Sequence, residues 1–155
     1  MPLSLETDGE TRVIIRRTFR ARPELVWRAH TEPALLQRWC TGPEGWTMPR
    51  CICEPVPGGR IRYDWEKDGA GFYLTGEFIA LTPFSRIEHI ERMHLPDPTP
   101  DNRIVTTFTP TETGTRMEMV MTLPDAATRQ MMLATGMEHG MEDSYVRLET
   151  LAEAA

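Results

Sequence analysis

The sequence lacks the features that would place it in a membrane, secreted or nucleic-acid-binding class. It has no apolar run long enough to span a membrane and no basic-then-apolar signal peptide, so we expect a cytoplasmic protein without a membrane partner. The net charge of −6 argues against a nucleic-acid partner, because phosphate binding depends on excess lysine and arginine. Phosphate loops, dinucleotide fingerprints and Ser-His-Asp motifs are absent as well. Composition and short motifs therefore do not indicate which reaction, if any, the protein catalyses.

Cysteine is scarce too, with three residues, Cys40, Cys51 and Cys53. Three thiols cannot all pair with one another, and without a secretion signal we expect them to be reduced. The Cys51-x-Cys53 pair lacks the further spaced ligands that a structural zinc site normally has. We therefore predict no metal and no cofactor, and we expect Cys51 and Cys53 to share one face of a strand, where they are packing residues or mildly reactive surface thiols.

The most regular pattern lies in the last thirty or so residues. Behind Asp125, which can cap a helix, apolar or small residues recur at helical spacing. This spacing predicts one continuous helix over about 126–153, roughly 40 Å long. Gly136 and Gly140 lie one turn apart on or beside the apolar stripe, and each costs about 1 kcal/mol relative to alanine in a helix interior. We expect these glycines to mark a close backbone approach or to leave space beside the helix.

Most of the preceding chain alternates between apolar and polar residues, which is typical of strands. Residues 1–10 are polar and expected to be flexible. A strand over 11–19 is followed by two short helices that begin at Pro23 and Pro33, since proline suits the first helical position. About six consecutive strands come next, and short turns between them require antiparallel pairing. With no repeat or linker, the sequence predicts a single α+β domain over 1–155, with a sheet of about seven strands covered by the long helix.

Five stretches, in the right order along nearly the whole chain, also carry a family resemblance: residues 21–39 (ARPELVWRAHTEPALLQRW), 57–65 (PGGRIRYDW), 74–87 (LTGEFIALTPFSRI), 114–124 (GTRMEMVMTLP) and 136–151 (GMEHGMEDSYVRLETL). The chain resembles the SRPBCC or START-like superfamily, in particular the branch named after the activator of Hsp90 ATPase. The resemblance implies a helix-grip fold, in which a curved antiparallel sheet grips a long C-terminal helix around a deep cavity. It also implies binding of apolar or amphipathic small molecules, and a few relatives catalyse cyclisation or hydrolysis in the cavity. The chain has no room for the separate N-terminal domain of the co-chaperone that names the branch.

Strand parity and helical spacing predict which side chains face this cavity. Each of them could equally fill an ordinary core, but together they would enclose an apolar space with a few polar groups, the usual form of a ligand pocket. The predicted ligand-binding residues are Trp39, Trp46, Tyr63, Trp65, Phe78, His89, Glu91, Met93, Phe108, Met119, Met121, Met137, Met141 and Tyr145.

His89 and Glu91 are the polar exceptions on an otherwise apolar strand face. Two residues apart on one strand, they point the same way at a spacing of roughly 6.5–7 Å. They could act as acid and base on a bound molecule, with Tyr63 as a further proton-transfer candidate, or anchor a ligand, or form a structural pair. The other histidines are expected at the surface or at helix ends: His30, His94 and His139.

The prediction from sequence is therefore a protein that binds an unidentified small hydrophobic or amphipathic ligand between the sheet and the C-terminal helix, with the loop at 95–102 as a possible gate. The first alternative is an enzyme of the cyclase or hydrolase type acting in the same cavity. The second is a chaperone-related protein-interaction module that uses its surface. Open sheet edges allow either a monomer or a homodimer.

Overall fold

The computed structural model describes residues 2–95 and 97–153, apart from the side chain of Glu153. Eight antiparallel strands form one curved sheet in the order β1-β2-β8-β7-β6-β5-β4-β3, so β1 and β3 are its edges. With four helices, this is the predicted α+β helix-grip architecture. The elements in chain order are β1 (Ser4–Asp8), β2 (Arg12–Phe19), α1 (Pro23–Thr31), α2 (Pro33–Trp39), β3 (Thr47–Cys53), β4 (Arg60–Lys67), β5 (Ala70–Thr82), β6 (Arg86–His94), β7 (Asn102–Pro110), β8 (Thr115–Thr122), α3 (Ala126–Ala134) and α4 (Met137–Glu153).

The eighth strand is β1, which lies where the sequence predicts a flexible segment. Ser4–Asp8 pairs antiparallel with β2, in a register that runs from Ser4 opposite Arg16 to Asp8 opposite Arg12. The prediction of flexibility is wrong for these residues, because pairing with β2 satisfies backbone groups that a polar segment alone could not. Met1 lies outside the described residues.

The alternation predicted for the first long strand is present in β2. Val13, Ile15, Arg17 and Phe19 are buried on the concave face, whereas their neighbours are at least partly exposed. The β4–β5 hairpin turns at Asp68 and Gly69, which both have positive φ, as a two-residue type I′ turn requires. The sheet therefore has one apolar concave face, and the helices pack on that side.

The C-terminal helix is not continuous. Asp125 caps α3 as predicted, since its Oδ1 accepts from the Thr128 N–H at 2.7 Å. The helix then ends at Ala134, and Gly136 adopts a left-handed conformation with φ +73° before α4 begins at Met137. The prediction of one helix over 126–153 is wrong, because this positive φ interrupts the helical backbone.

α4 is fastened to β2 by a buried ion-pair cluster. The Arg17 side chain, 3% exposed, donates to Glu142 through Nε (3.0 Å) and Nη2 (2.9 Å) and to Glu149 through Nη1 (3.0 Å). The same carboxylates accept backbone N–H groups of Leu3 (2.9 Å) and Arg20 (3.0 Å). Every carboxylate oxygen of the two glutamates is thereby paired, and the helix is held against one side of the sheet.

Elsewhere α4 stands further from the sheet. Its backbone runs close to α1 and α2 and approaches the strands at fewer points. The space between α4 and the strands β4 to β8 is where the cavity lies. Across residues 2–95 and 97–153, no helix is long and apolar enough to cross a membrane.

Candidate ligand cavity

A cavity of about 540 Å³ lies between the concave face of the sheet and α4. Its walls are the inward side chains of β4 to β8, the end of α2, the loop that follows α2, the α3–α4 junction and the first half of α4. Apolar and aromatic side chains dominate these walls. A concave, largely apolar space of this size is the usual form of a small-molecule site.

The residues predicted to face the cavity line it, with Phe108 as the exception. Phe108 is buried, but its ring packs edge-on against Trp27 (6.1 Å between centroids) and His30 (5.1 Å). It belongs to the core beneath α1, so its assignment to the cavity wall is wrong. For the remaining residues the geometry is that of a wall, and their binding of a ligand stays a prediction.

Several cavity residues were not predicted from the sequence, and they come from the helices, from the loop that follows α2 and from the strands. Thr41, Gly42 and Pro43, in the loop that follows α2, form part of the wall. No periodicity exists in such a loop, so no sequence signal could assign its direction. Further lining residues that were not predicted are His30, Leu36, Cys40, Ile61, Phe72, Leu74, Ile104, Thr106, Thr135 and Ser144.

His30 lies in the last turn of α1, as one of the two expectations for it has it, but its ring points into the interior and not toward the surface. Its ring lies between Trp39 (5.0 Å between centroids) and Phe108 (5.1 Å), and Nδ1 bonds to the Val26 carbonyl at 2.8 Å. Burial lowers the pKa of His30 from 6.5 to about 4, so the ring is uncharged at neutral pH. The available signal was its place one turn after Val26, beside the buried face of α1.

The predicted pair of polar residues on β6 is formed. His89 Nε2 lies 3.1 Å from Glu91 Oε2, and the two side chains are 16% and 17% exposed. A carboxylate can only accept, so Nε2 carries the proton in this bond when Glu91 is ionised. Nδ1 of His89 is buried without a hydrogen-bond partner among the described residues. The pair has the geometry for proton transfer or for anchoring a ligand.

Two tyrosines complete the polar part of the wall. Burial raises the pKa of Tyr63 well above 10 and also raises the pKa of Tyr145, with the Glu91 carboxylate adding to both shifts. Both hydroxyls therefore stay protonated at neutral pH. Neither has a hydrogen-bond partner within the part of the chain that is described, so both are free to donate to a molecule in the cavity.

The cysteines do not form a reactive or metal-binding centre in the described structure. Burial raises the pKa of Cys40 to about 12, of Cys51 to about 11 and of Cys53 to about 12, which disfavours the reactive thiolate. Of the two interpretations open from sequence, the structure supports packing, since Cys53 is part of the core and Cys51 packs against it. Over residues 2–95 and 97–153, no group of three or more His, Cys, Asp or Glu side chains could hold a metal ion.

The two glycines near the cavity have different roles from each other. A Cβ on Gly140 would lie 3.1 Å from Cδ of Pro43, so Gly140 allows α4 to approach the loop that follows α2. Gly136 has nothing within 4 Å of a built Cβ, and its positive φ makes the break between the helices. Of the two expectations for these glycines, close approach holds at Gly140. The loop 95–102, proposed as a gate, contributes no described residue to the wall.

A model of the family described as "Activator of Hsp90 ATPase homolog 1-like protein" matches residues 20–153, which is most of the chain. The chain belongs to this family. The activator of Hsp90 ATPase homolog 1-like proteins are part of the SRPBCC group, whose members commonly bind hydrophobic ligands. The resemblance found in the sequence is thereby confirmed.

Solved structures of similar proteins support the same assignment. A Rhodobacter sphaeroides protein is 32% identical, with 99% of each chain covered and a TM-score of 0.92. A Nitrosomonas europaea protein is 25% identical, with 96% of this chain and 97% of that chain covered and a TM-score of 0.83. A Mycobacterium smegmatis protein, 23% identical over 99% of each chain with a TM-score of 0.87, shares the fold. No curated protein matches the chain.

Proposed function

We propose that this protein binds a small apolar or amphipathic molecule in the cavity between the sheet and α4. The observation that carries the proposal is the cavity itself, whose volume of about 540 Å³ falls in the range of ligand sites. Side chains that border such a space have few packing partners on one side. A ligand of suitable shape supplies the missing contacts, and it stabilises the folded protein by doing so.

The composition of the wall supports tolerance toward ligands of different shape. Methionine side chains are unbranched and polarisable, so they adapt to irregular surfaces. Those in the wall come from both the sheet and α4: Met93, Met119, Met121, Met137 and Met141. Aromatic rings elsewhere in the wall, among them Trp39, Trp46 and Trp65, offer flat surfaces for stacking.

Thermal unfolding in the presence of a panel of apolar and amphipathic compounds tests this proposal. We expect at least one compound to raise Tm of the wild type in a concentration-dependent way. Met141→Trp places a larger side chain in the cavity wall and should abolish that shift. Met131→Trp is the matched control, since Met131 on α3 is 73% exposed and does not line the cavity. The proposal fails if no compound stabilises the wild type, or if Met141→Trp responds as the wild type does.

The second candidate is an enzyme of the cyclase or hydrolase type, and the hydrogen bond between His89 and Glu91 in the cavity favours it. Tyr63, kept protonated by burial, would serve as an acid or hydrogen-bond donor and not as a base. Catalysis would require that His89→Gln and Glu91→Gln stop conversion of a bound compound without preventing its binding. Mass spectrometry of the compound before and after incubation with wild type and variants measures this directly. A chaperone-related interaction module, the remaining alternative, would need a large exposed apolar patch and no cavity.

A further inference from the structure

The cavity wall is almost free of charge. Among the described residues that line it there is no lysine, arginine or aspartate, and Glu91 contributes the single carboxylate. The wall also contains His30, but its pKa of about 4 keeps that ring neutral. An anionic ligand would therefore enter a low-dielectric space that holds the Glu91 carboxylate and no lysine or arginine to pair with the ligand, and the His89 ring is already bonded to Glu91.

Two arginines that lie close enough to act on the lining residues Tyr145 and Cys40 are already hydrogen-bonded within the protein. Arg17 is paired with both Glu142 and Glu149, whose two carboxylates more than offset its single positive charge. Arg147 binds the loop that follows α2: its Nη1 donates to the Thr41 hydroxyl (2.9 Å) and to the Gly42 carbonyl (2.7 Å). Neither guanidinium lines the cavity, so neither is placed for a direct ion pair with a ligand.

Glu91 offers an unused acceptor to the cavity. Its Oε2 is bonded to His89, whereas Oε1 has no hydrogen-bond partner in residues 2–95 or 97–153. The side chain remains 17% exposed and lines the cavity. A carboxylate oxygen in such surroundings is best satisfied by an O–H or N–H group of a ligand, and hydrogen bonds to charged groups are the stronger kind.

The tyrosine hydroxyls near Glu91 complement this acceptor. Tyr63 and Tyr145 both line the cavity, and the charge of Glu91 contributes to the raised pKa of both. A ligand hydroxyl can donate to Glu91 and accept from a tyrosine at the same time, whereas a carboxylate can only accept and is repelled by Glu91. The rings of Trp39, Trp65 and their neighbours favour a flat body for the rest of the ligand.

We propose that the ligand of this cavity is an uncharged aromatic molecule that carries a hydrogen-bond donor such as a hydroxyl group, and that Glu91 selects it over carboxylates. This inference rests on the proposed function, because it names the class of molecule that the same cavity takes. It predicts discrimination among ligands of one shape that differ in a single polar group.

Three naphthalenes of nearly equal shape provide the test: 2-naphthol, 2-methylnaphthalene and 2-naphthoate, titrated at pH 7 with calorimetric or tryptophan-fluorescence detection. The wild type should bind 2-naphthol roughly tenfold more tightly than 2-methylnaphthalene, which lacks the donor. It should bind 2-naphthoate at least roughly tenfold more weakly than 2-naphthol. Equal affinity for all three would overturn the inference and leave the proposed function intact. Failure of all three to bind would overturn the inference alone, because the proposed function is decided by the wider panel of apolar and amphipathic compounds.

Glu91→Gln removes the negative charge at nearly constant size and identifies the group responsible. In this variant we expect the preference for 2-naphthol over 2-naphthoate to shrink by about tenfold or more, with 2-naphthoate gaining affinity. Glu77→Gln is the matched control, since Glu77 lies on the exposed face of the neighbouring strand and pairs with Arg92. An unchanged preference in Glu91→Gln, or an equal loss in Glu77→Gln, would contradict the role of Glu91.

Discussion

Arg17 and Glu142 form a bidentate ion pair that joins β2 to α4, with N–O distances of 3.0 and 2.9 Å. Charged groups of this kind are rare on the concave face of a sheet, because taking them out of water costs several kcal/mol. Here a second carboxylate, Glu149, and two backbone N–H groups complete the set of partners. The cluster attaches α4 to β2 at one side of the sheet.

Replacement of Arg17 should destabilise the protein strongly. Arg17→Met leaves two glutamates without their cation, and we expect a loss of about 3 kcal/mol in the free energy of unfolding. Arg16→Met is the matched control: Arg16 is the next residue on β2, pairs with Glu6 and Glu118 on the other face, and is 35% exposed. Denaturant unfolding of both variants measures the difference. Similar losses of unfolding free energy in the two variants would show that the cluster stabilises the protein no more than an exposed ion pair does.

The same cluster predicts a dependence of stability on acid pH. The hydrogen bond from Arg17 lowers the pKa of Glu142 below 4.5 against the opposing effect of burial. Its stabilising contribution is therefore complete above pH 4.5 and is lost as the pH falls through the lowered value. Glu142→Gln should be less stable than the wild type at pH 7, and its stability should change less between pH 5 and pH 3. Urea unfolding across this range checks both points, and parallel curves would contradict the prediction.

His30 should produce a separate dependence at higher pH. In the folded protein the pKa of His30 is about 4, below the ordinary value of 6.5. Between pH 4 and pH 6.5 the unfolded chain therefore binds a proton at His30 more readily than the folded protein does. Stability from this group is complete above pH 6.5 and falls toward pH 4, by about 2 kcal/mol between pH 7 and pH 5. His30→Phe should remove that slope, because phenylalanine has no group that can be protonated. Its ring also suits the position of the imidazole between Trp39 and Phe108.

The exposed His139 on α4 provides the control for this experiment. His139→Phe should keep the slope of the wild type between pH 7 and pH 5. If His30→Phe keeps it as well, the titration of His30 does not govern stability in this range.

The three cysteines should resist modification while the protein is folded. Their raised pKa values leave almost no thiolate at neutral pH, and the thiolate is the nucleophile. We expect Ellman's reagent at pH 7.5 to react at least about a hundredfold more slowly with the native protein than with the chain unfolded in guanidinium chloride. A thiol that reacts in the native protein as fast as in the unfolded chain would contradict the burial of that cysteine.

The break between α3 and α4 should depend on the backbone of Gly136. Gly136→Ala adds only a methyl group that meets nothing within 4 Å, so its cost is conformational, about 1 kcal/mol at φ +73°. Gly136→Asn should cost less, because asparagine tolerates the left-handed region better. Thermal unfolding of the two variants compares these costs. Equal stability of Gly136→Ala and the wild type would mean that the left-handed conformation is not required.

Much of this fold could be predicted because its patterns are local. Pro23 and Pro33 mark the first residues of α1 and α2, and alternation sets the faces of β2. β1 was missed because a short, polar edge strand takes its stability from its partner and not from its own composition. The helix break was missed because a glycine in a helical pattern can mean a gap, a contact or a turn, and the sequence does not distinguish these.

The cavity wall was predictable to the extent that alternation along a strand determines which face of the sheet each side chain lies on. Parity places Phe108 on the correct face of β7, but it gives no position along the strand, and the end of β7 near Phe108 lies under α1. His30 shows the opposite limitation, since a residue at the edge of a helical face points toward or away from the core according to how the helix is tilted. The unpaired acceptor on Glu91 depends on the distance between two side chains, which no spacing rule supplies.

The Arg17 cluster and the cavity occupy different parts of the same helix–sheet contact. No residue of the cluster lines the cavity, so substitutions in the wall leave the attachment of α4 to β2 untouched. A family built on this plan can change its ligand by exchanging wall residues such as Met119 or Ile104 without having to find a new way to hold its helix. The same separation makes this chain a suitable scaffold for redesigning a binding site.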